Sequence, residues 1–272
     1  MDITTGRVWP CALEDPTEKR NGKPRQTGLT MVIDKGLGPS AFNDLLLTAG
    51  DYIDLLKFGF GTSPLYKTGV LRDKIALAKQ HNVATFPGGT LLEAAFRLEV
   101  IGEFFDMVQE LGFDGVEVSD GTIELTRRQR DGLITEATQR GLRVFTEYGK
   151  KQAGSRIVLD DLKRTFELDR GRGAELITVE ARESGVGVGL FDDSGKCREE
   201  ELLRLRRALP DMSCLLWEAP RKEQQVALLG ILGTDANLGN ISPNDVLSLE
   251  TLRRGLRSDT FAHHRLISDY MI

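Results

Sequence analysis

Histidine is nearly missing from this chain. Its 272 residues include three, His81, His263 and His264, and none follows an apolar, β-rich run, which disfavours histidine acid–base chemistry and histidine-ligated metals. Cysteine is as scarce. Cys11, Cys197 and Cys214 lie far apart with no CxxC or Cys/His spacing, which argues against a zinc site or a disulfide framework and for unpaired thiols in a reducing compartment. There is no GxxxxGK[ST] phrase, no GxGxxG after the first β-rich run and no GxSxG, so nothing suggests a nucleotide or dinucleotide cofactor. No apolar run is long enough to cross a bilayer, and residues 1–27 carry Pro, Asp, Glu, Lys and Arg where a signal peptide would be apolar. A cytoplasmic protein is expected.

A general excess of positive charge is also lacking. The net charge of −5 gives no attraction for nucleic acid or an anionic membrane, so an anionic substrate would have to be held by a local cluster of Lys and Arg. With 40% hydrophobic and 28% charged residues, the chain can bury one large core.

Apolar, β-rich runs occur at residues 29–33, 52–56, 83–86, 115–118, 143–146, 176–179, 214–217 and, more weakly, 236–241. Between them lie helical patterns. Val100, Ile101, Phe104, Phe105, Val108 and Leu111 repeat at the helical period, with Gly112 as a left-handed stop. Thr126 and Gln129 form a capping-box pattern opening a helix that ends at Gly141, and Ser242 and Pro243 read as the N-cap and first residue of the last helix. Strand followed by helix, eight times over, is the pattern of a single (β/α)8 barrel. The expected layout is an N-terminal arm at 1–27, the barrel at 28–256 and a short C-terminal tail at 257–272.

In such barrels the reacting groups stand at the carboxyl ends of the strands. Four consecutive runs place a glutamate there: Glu117, Glu147, Glu180 and Glu218. Converging carboxylates suit Mg²⁺, a hard ion that takes oxygen ligands, although single members of the set could equally be ion-paired at the rim. Lys35, Lys57, Lys150, Lys151, Arg182 and Arg221 occupy the same ends and could surround anionic groups; a solvated rim is the alternative. Lys150 and Lys151 are neighbours, so they should point in opposite directions. Glycine-rich turns at 59–63, 88–90 and 185–189 could admit a phosphate to backbone amides, but they equally suit tight turning.

Read as phrases, the strand ends GLTMVIDKGL (28–37), GDYIDLLKFGFGTS (50–63), FPGGTL (86–91), VEVSDG (116–121), TEYGKK (146–151), VEARESG (179–185), WEAPRKEQQVA (217–227) and LETLRRGLRSDTF (249–261) resemble the phosphosulfolactate synthase family. The resemblance implies a (β/α) barrel that adds sulfite to phosphoenolpyruvate with Mg²⁺ as cofactor, giving (2R)-2-phospho-3-sulfolactate, a step that feeds coenzyme M biosynthesis in methanogens. It implies Glu117, Glu147 and Glu180 at the metal, with Asp120 and Glu218 in reserve. The proton donor is expected to be Lys151, or alternatively Lys150, its pKa lowered by neighbouring cations. Lys35, Lys57 and Arg182 are the expected anion ligands, with Arg25 folding over the site. Two positions depart from the family pattern, Ala181 in place of glycine and Gly239 in place of alanine. The methyl of Ala181 could narrow the pocket, which leaves open a related lyase using another nucleophile. A non-catalytic, stress-associated barrel is the further alternative, and self-association into a homo-oligomer is the expectation for a barrel of this size.

Overall fold

The computed structural model describes residues 9–209 and 211–263. Eight parallel strands run in the order β1 (Thr30–Asp34), β2 (Leu55–Phe58), β3 (Ala84–Pro87), β4 (Gly115–Val118), β5 (Arg143–Tyr148), β6 (Leu176–Val179), β7 (Leu215–Glu218) and β8 (Asn237–Ile241). A short α1 (Cys11–Glu14) precedes them. Between and after them lie α2 (Pro39–Ala49), α3 (Thr68–Gln80), α4 (Gly89–Arg97), α5 (Ile101–Leu111), α6 (Arg127–Gln139), α7 (Leu159–Arg172), α8 (Glu199–Ala208), α9 (Lys222–Leu232) and α10 (Val246–Arg253). Seven ladders join the strands in the ring order β3-β2-β1-β8-β7-β6-β5-β4. The eighth junction is a seam. Asp114 N–H donates to Thr85 O at 3.0 Å, and the Asp114 carboxylate accepts from Thr85 N–H at 2.8 Å. The fold is a (β/α)8 barrel.

Alternation along each strand separates two apolar regions. Val32, Leu56, Val116, Val144, Ile177, Trp217 and Leu238 face outward into the layer beneath the helices, while Met31, Leu55, Phe86, Phe145, Leu176 and Leu216 fill the lower half of the barrel interior. Two residues beyond Leu55, Phe145 and Leu216 come Lys57, Glu147 and Glu218. The same inward face therefore turns from hydrocarbon to charge towards the carboxyl ends.

The α5 stop at Gly112 has the expected left-handed φ of 87° and the Thr126–Gln129 capping box is formed. Five other strand bounds differ from the expected runs by one or two residues, and two boundaries change for a visible local reason. Gly50–Tyr52 forms a 3-10 turn closing α2, so β2 begins only at Leu55, where the Asp54 carboxylate takes the Thr30 N–H at 2.9 Å. Ser242 precedes a 3-10 turn at Pro243–Asp245 and makes no side-chain cap bond; α10 starts after it.

The described part of the arm lies across the amino ends of the strands. Arg20 pairs with Glu250 at 3.0 Å, and Lys23 donates to Gly50 O and His81 O. Arg25 pairs with Asp54 at 2.9 Å and donates to Asp51 O at 2.7 Å. This corrects the expectation that Arg25 folds over the site: residues leading into β1 lie at the barrel end opposite the strand carboxyl termini. Of the expected tail, Ser258–His263 forms a 3-10 turn, and residues 264–272, with His264, lie outside the described residues.

A buried ion pair fixes the β1–α2 turn. Lys74 of α3, 2% exposed, reaches Asp34 at 2.5 Å, Leu37 O at 2.7 Å and Tyr66 Oη at 3.1 Å, among the rings of Phe42, Phe58 and Tyr66. Asp34 accepts the N–H groups of Gly36 and Leu37 as well. Lys74→Met strands a buried carboxylate and is expected to cost about 3–5 kcal/mol in urea unfolding, with Lys74→Met/Asp34→Asn recovering part of it; equal loss in both variants would show that the pair is not the cause.

Candidate active site

A cavity of about 320 Å³ opens at the carboxyl end of the barrel. Its floor is charged and buried. Lys57, 5% exposed, lies 3.1 Å from Glu218 and 3.4 Å from Glu117. Glu117 also accepts the Gly89 N–H at the start of α4 (2.8 Å), and Glu218 accepts the Ala181 N–H (3.0 Å). Lys151 lies 3.3 Å from Glu147, 3.7 Å from Glu180 and 3.3 Å from Thr90 Oγ1. Yet Glu147 Oε1 and Glu180 Oε2 are buried with no hydrogen-bond partner. The Lys151 ammonium is close enough for Coulomb attraction but aims no N–H at them.

The turns are built to bring these groups together. A Cβ on Gly89 would lie 2.2 Å from Ser119 Oγ, so only glycine lets α4 start close enough to bond Glu117. Gly149, at φ 122°, turns the chain after β5 towards Lys151, and its missing Cβ would sit 3.0 Å from the Glu180 Cβ. Glu93 of α4 holds the turn after β4 through Ser119 Oγ, Gly121 N–H and Thr122 N–H. Arg130 of α6 pairs with Asp169 and Asp120 and donates to Glu147 O at 2.9 Å, fixing the end of β5. Neither Glu93 nor Arg130 stands at a strand end, so the strand-end rule passes over both.

Electrostatics follow from burial. Removal from water, then the neighbouring carboxylates, pushes Glu180 up to about 11 and Glu147 up to about 7 despite Lys151. Glu218 goes the other way: burial would raise it, but Lys57 and the Ala181 N–H lower it. Burial would lower both lysines, yet the surrounding glutamates hold Lys57 and Lys151 above the ordinary lysine range. The expected cation neighbours that would lower Lys151 are outweighed by Glu147 and Glu180 in contact with it.

The oxygens of Glu147, Glu180 and Glu218 lie within 4.8 Å of one another, and two of these carboxylates each carry an unpartnered oxygen. That arrangement fits a hard divalent cation. Glu117, expected in the metal set, lies outside this cluster and Glu218 stands in it instead, although each of the two bonds Lys57 and one backbone N–H.

Other expected residues lie apart. Lys150 points out of the cavity to Asp120 and Ile123 O, and Asp120 is held by Lys150 and Arg130. Lys35 forms a half-exposed rim pair with Glu183. Arg221 reaches Ser194 O. Arg182 lines the cavity, and its guanidinium has no carboxylate partner among the described residues. Ala181 packs in the outer apolar layer, so its methyl does not enter the cavity.

Two expectations follow. Because the Glu147 and Glu180 pKa values are raised above their ordinary 4.5, the native state holds extra protons and, without metal, stability falls as pH rises from about 4.5 through about 7 and beyond. Glu180→Gln should therefore raise the metal-free melting temperature at about pH 8 and flatten this dependence; a lowered value would contradict the assignment. Arg25→Ala should lower the melting temperature while leaving substrate KM within about two-fold, because it breaks a buried pair remote from the cavity.

Comparison with known proteins agrees with the geometry. The model of the (2R)-phospho-3-sulfolactate synthase (ComA) family matches residues 18–259. Phosphosulfolactate synthase from Methanothermobacter thermautotrophicus is 42% identical over 246 residues, covering 90% of this chain and 95% of that protein. The phosphosulfolactate synthase of Methanocaldococcus jannaschii is 43% identical over 238 residues, 87% of this chain and 94% of its own. Among solved structures, N-acetylneuraminate lyase from Mycoplasma synoviae shares the fold, with a TM-score of 0.54 at 12% identity over 90% of this chain and 80% of that one. A lyase-type enzyme with its charged cavity at the strand ends, this chain belongs to the (2R)-phospho-3-sulfolactate synthase family.

Proposed function

We propose that the protein catalyses Mg²⁺-dependent addition of sulfite to C3 of phosphoenolpyruvate, giving (2R)-2-phospho-3-sulfolactate. The observation that carries this reading is the cluster of Glu147, Glu180 and Glu218 beside Lys57 and Lys151 in one cavity, in a chain of this family. Fully ionised, the four buried carboxylates would exceed the two ammonium groups by two negative charges, which a divalent cation would balance in place of the protons that Glu147 and Glu180 otherwise hold.

The sulfur lone pair of sulfite forms the C3–S bond while the C2=C3 π pair moves onto C2 and the carboxylate, and a proton must then reach C2. Mg²⁺ held by Glu147, Glu180 and Glu218 supplies Lewis-acid stabilisation of that charge when bound. Lys57 holds positive charge on the cavity floor. Lys151, fully protonated and facing the cavity, is the proton donor; Lys150 is turned away. Arg182 at the mouth binds an anionic substituent of the substrate, and Lys35 meets it at the rim. The substrates are free small anions of the cytoplasm, with no role for nucleic acid or a membrane. No helix among the described residues is long and apolar enough to cross a bilayer. Self-association into a homo-oligomer is read by sedimentation.

Phosphorus NMR of the purified protein with phosphoenolpyruvate, sulfite and Mg²⁺ should show a new organophosphate signal, with the product's mass, that vanishes in EDTA or when either substrate is omitted. Lys151→Ala should cut turnover by about 10²-fold or more while phosphoenolpyruvate still binds. Phosphoenolpyruvate binding without conversion by the wild-type protein would point to another nucleophile.

A further inference from the structure

β8 is irregular where it reaches the cavity. Its ladder with β1 pairs Thr30 with Leu238 but Val32 with Ile241, so two steps along β1 face three along β8. Leu238 and Ile241 both belong to the outer apolar layer, which leaves Gly239 and Asn240 together on the inner side. A Cβ on Gly239 would lie 2.3 Å from Leu216 Cδ2 and 2.7 Å from Met31 Cε, so Gly239 sits against the interior hydrocarbon. Asn240, the extra residue, has φ 54° and lines the cavity. Regular alternation would have turned it outward to the helices; a bulge re-aims a side chain in this way.

Once turned in, the amide has nothing to bond. Asn240 is 7% exposed, its Oδ1 is buried without a hydrogen-bond partner, and no protein group bonds its side chain among the described residues. A left-handed, non-glycine residue and an unsatisfied buried amide are each unfavourable, and their coincidence at a cavity wall is what a ligand contact explains. The neighbouring strand sets the local charge. Glu218 pairs in register with Gly239, so a ligand on this side meets a carboxylate and gains most from a hydrogen-bonding group that brings no further negative charge.

We propose that Asn240 is a substrate-contacting, specificity-determining residue whose neutral amide donates an N–H to an oxyanion group in the cavity, a half-turn of the amide placing its NH2 where the unpartnered Oδ1 stands. The shared chemistry is an oxyanion, either sulfite or the carboxylate or phosphate of phosphoenolpyruvate. This inference rests on the anion-binding reading of the cavity and adds to it the residue that reads the anion at the β8 wall.

Calorimetric titration of phosphoenolpyruvate and of sulfite, each separately and with Mg²⁺, tests it on the wild-type protein, Asn240→Gly and Asn240→Asp. Glycine keeps the left-handed backbone without steric cost and removes the amide; aspartate keeps the shape and adds charge. The expected result is an Asn240→Gly protein with an unchanged melting temperature and binding of one anion weakened about ten-fold or more, with Asn240→Asp weaker still; the anion affected identifies the contact. Binding of both anions by both variants within about two-fold of wild type would overturn the assignment. If the wild-type protein binds the anions without converting them, the sulfite-addition reading falls while the Asn240 comparison still reads. If it binds neither, both fall.

Discussion

The burial of more carboxylate than ammonium at one end of a barrel is the constraint on which the rest of this structure depends. Removing an ion from water is costly unless it is paired or hydrogen-bonded. The lower interior meets that cost by avoiding it, with Phe86, Phe145 and Leu216 in place of polar groups. The upper interior instead distributes partners: Lys57 between Glu117 and Glu218, Lys151 between Glu147 and Glu180, and backbone N–H groups of Gly89 and Ala181 for the remaining oxygens. Partners run out at Glu147 and Glu180, and this shortage gives the cavity its capacity for a cation and its cost in stability.

That arrangement explains the glycines and the buried polar residues behind the site. Gly89 and Gly149 are small because a side chain would strike Ser119 or Glu180. Glu93 and Arg130 do not line the cavity, but they tie down the turns after β4 and β5 from behind, Arg130 through the Glu147 carbonyl oxygen. Preorganisation of this kind places the charges before a substrate arrives, so that binding need not reorganise them.

How much of this was legible in the sequence depended on periodicity. The bounds of β4 and β6 follow directly from their apolar runs, and the glutamates at strand ends are visible because alternation puts them inside. The choice between Glu117 and Glu218 is not visible, since it turns on which carboxylate brings an oxygen close to those of Glu147 and Glu180 in three dimensions. Lys150 and Lys151 could be separated only in principle, because Gly149 sets which of them faces the cavity. The place of Arg25 is legible from chain direction, because a residue just before a strand lies at the strand's amino end, away from the cavity. Asn240 was hidden because a bulge breaks the very two-residue period by which an inward side chain is recognised.

The seam between β3 and β4 is the one junction of the ring that no strand ladder closes among the described residues. Seven junctions are laddered; the eighth rests on Asp114 and Thr85 at its base. Nearer the mouth, the bonds across this gap come from the site itself: Glu117 on β4 takes the Gly89 N–H from the turn after β3 and the Lys57 ammonium from β2. An anion that draws Lys57 towards itself therefore slackens the same clasp that holds the two halves of the ring together. Ligand occupancy and the tightness of the barrel wall are, at this one junction, a single mechanical variable.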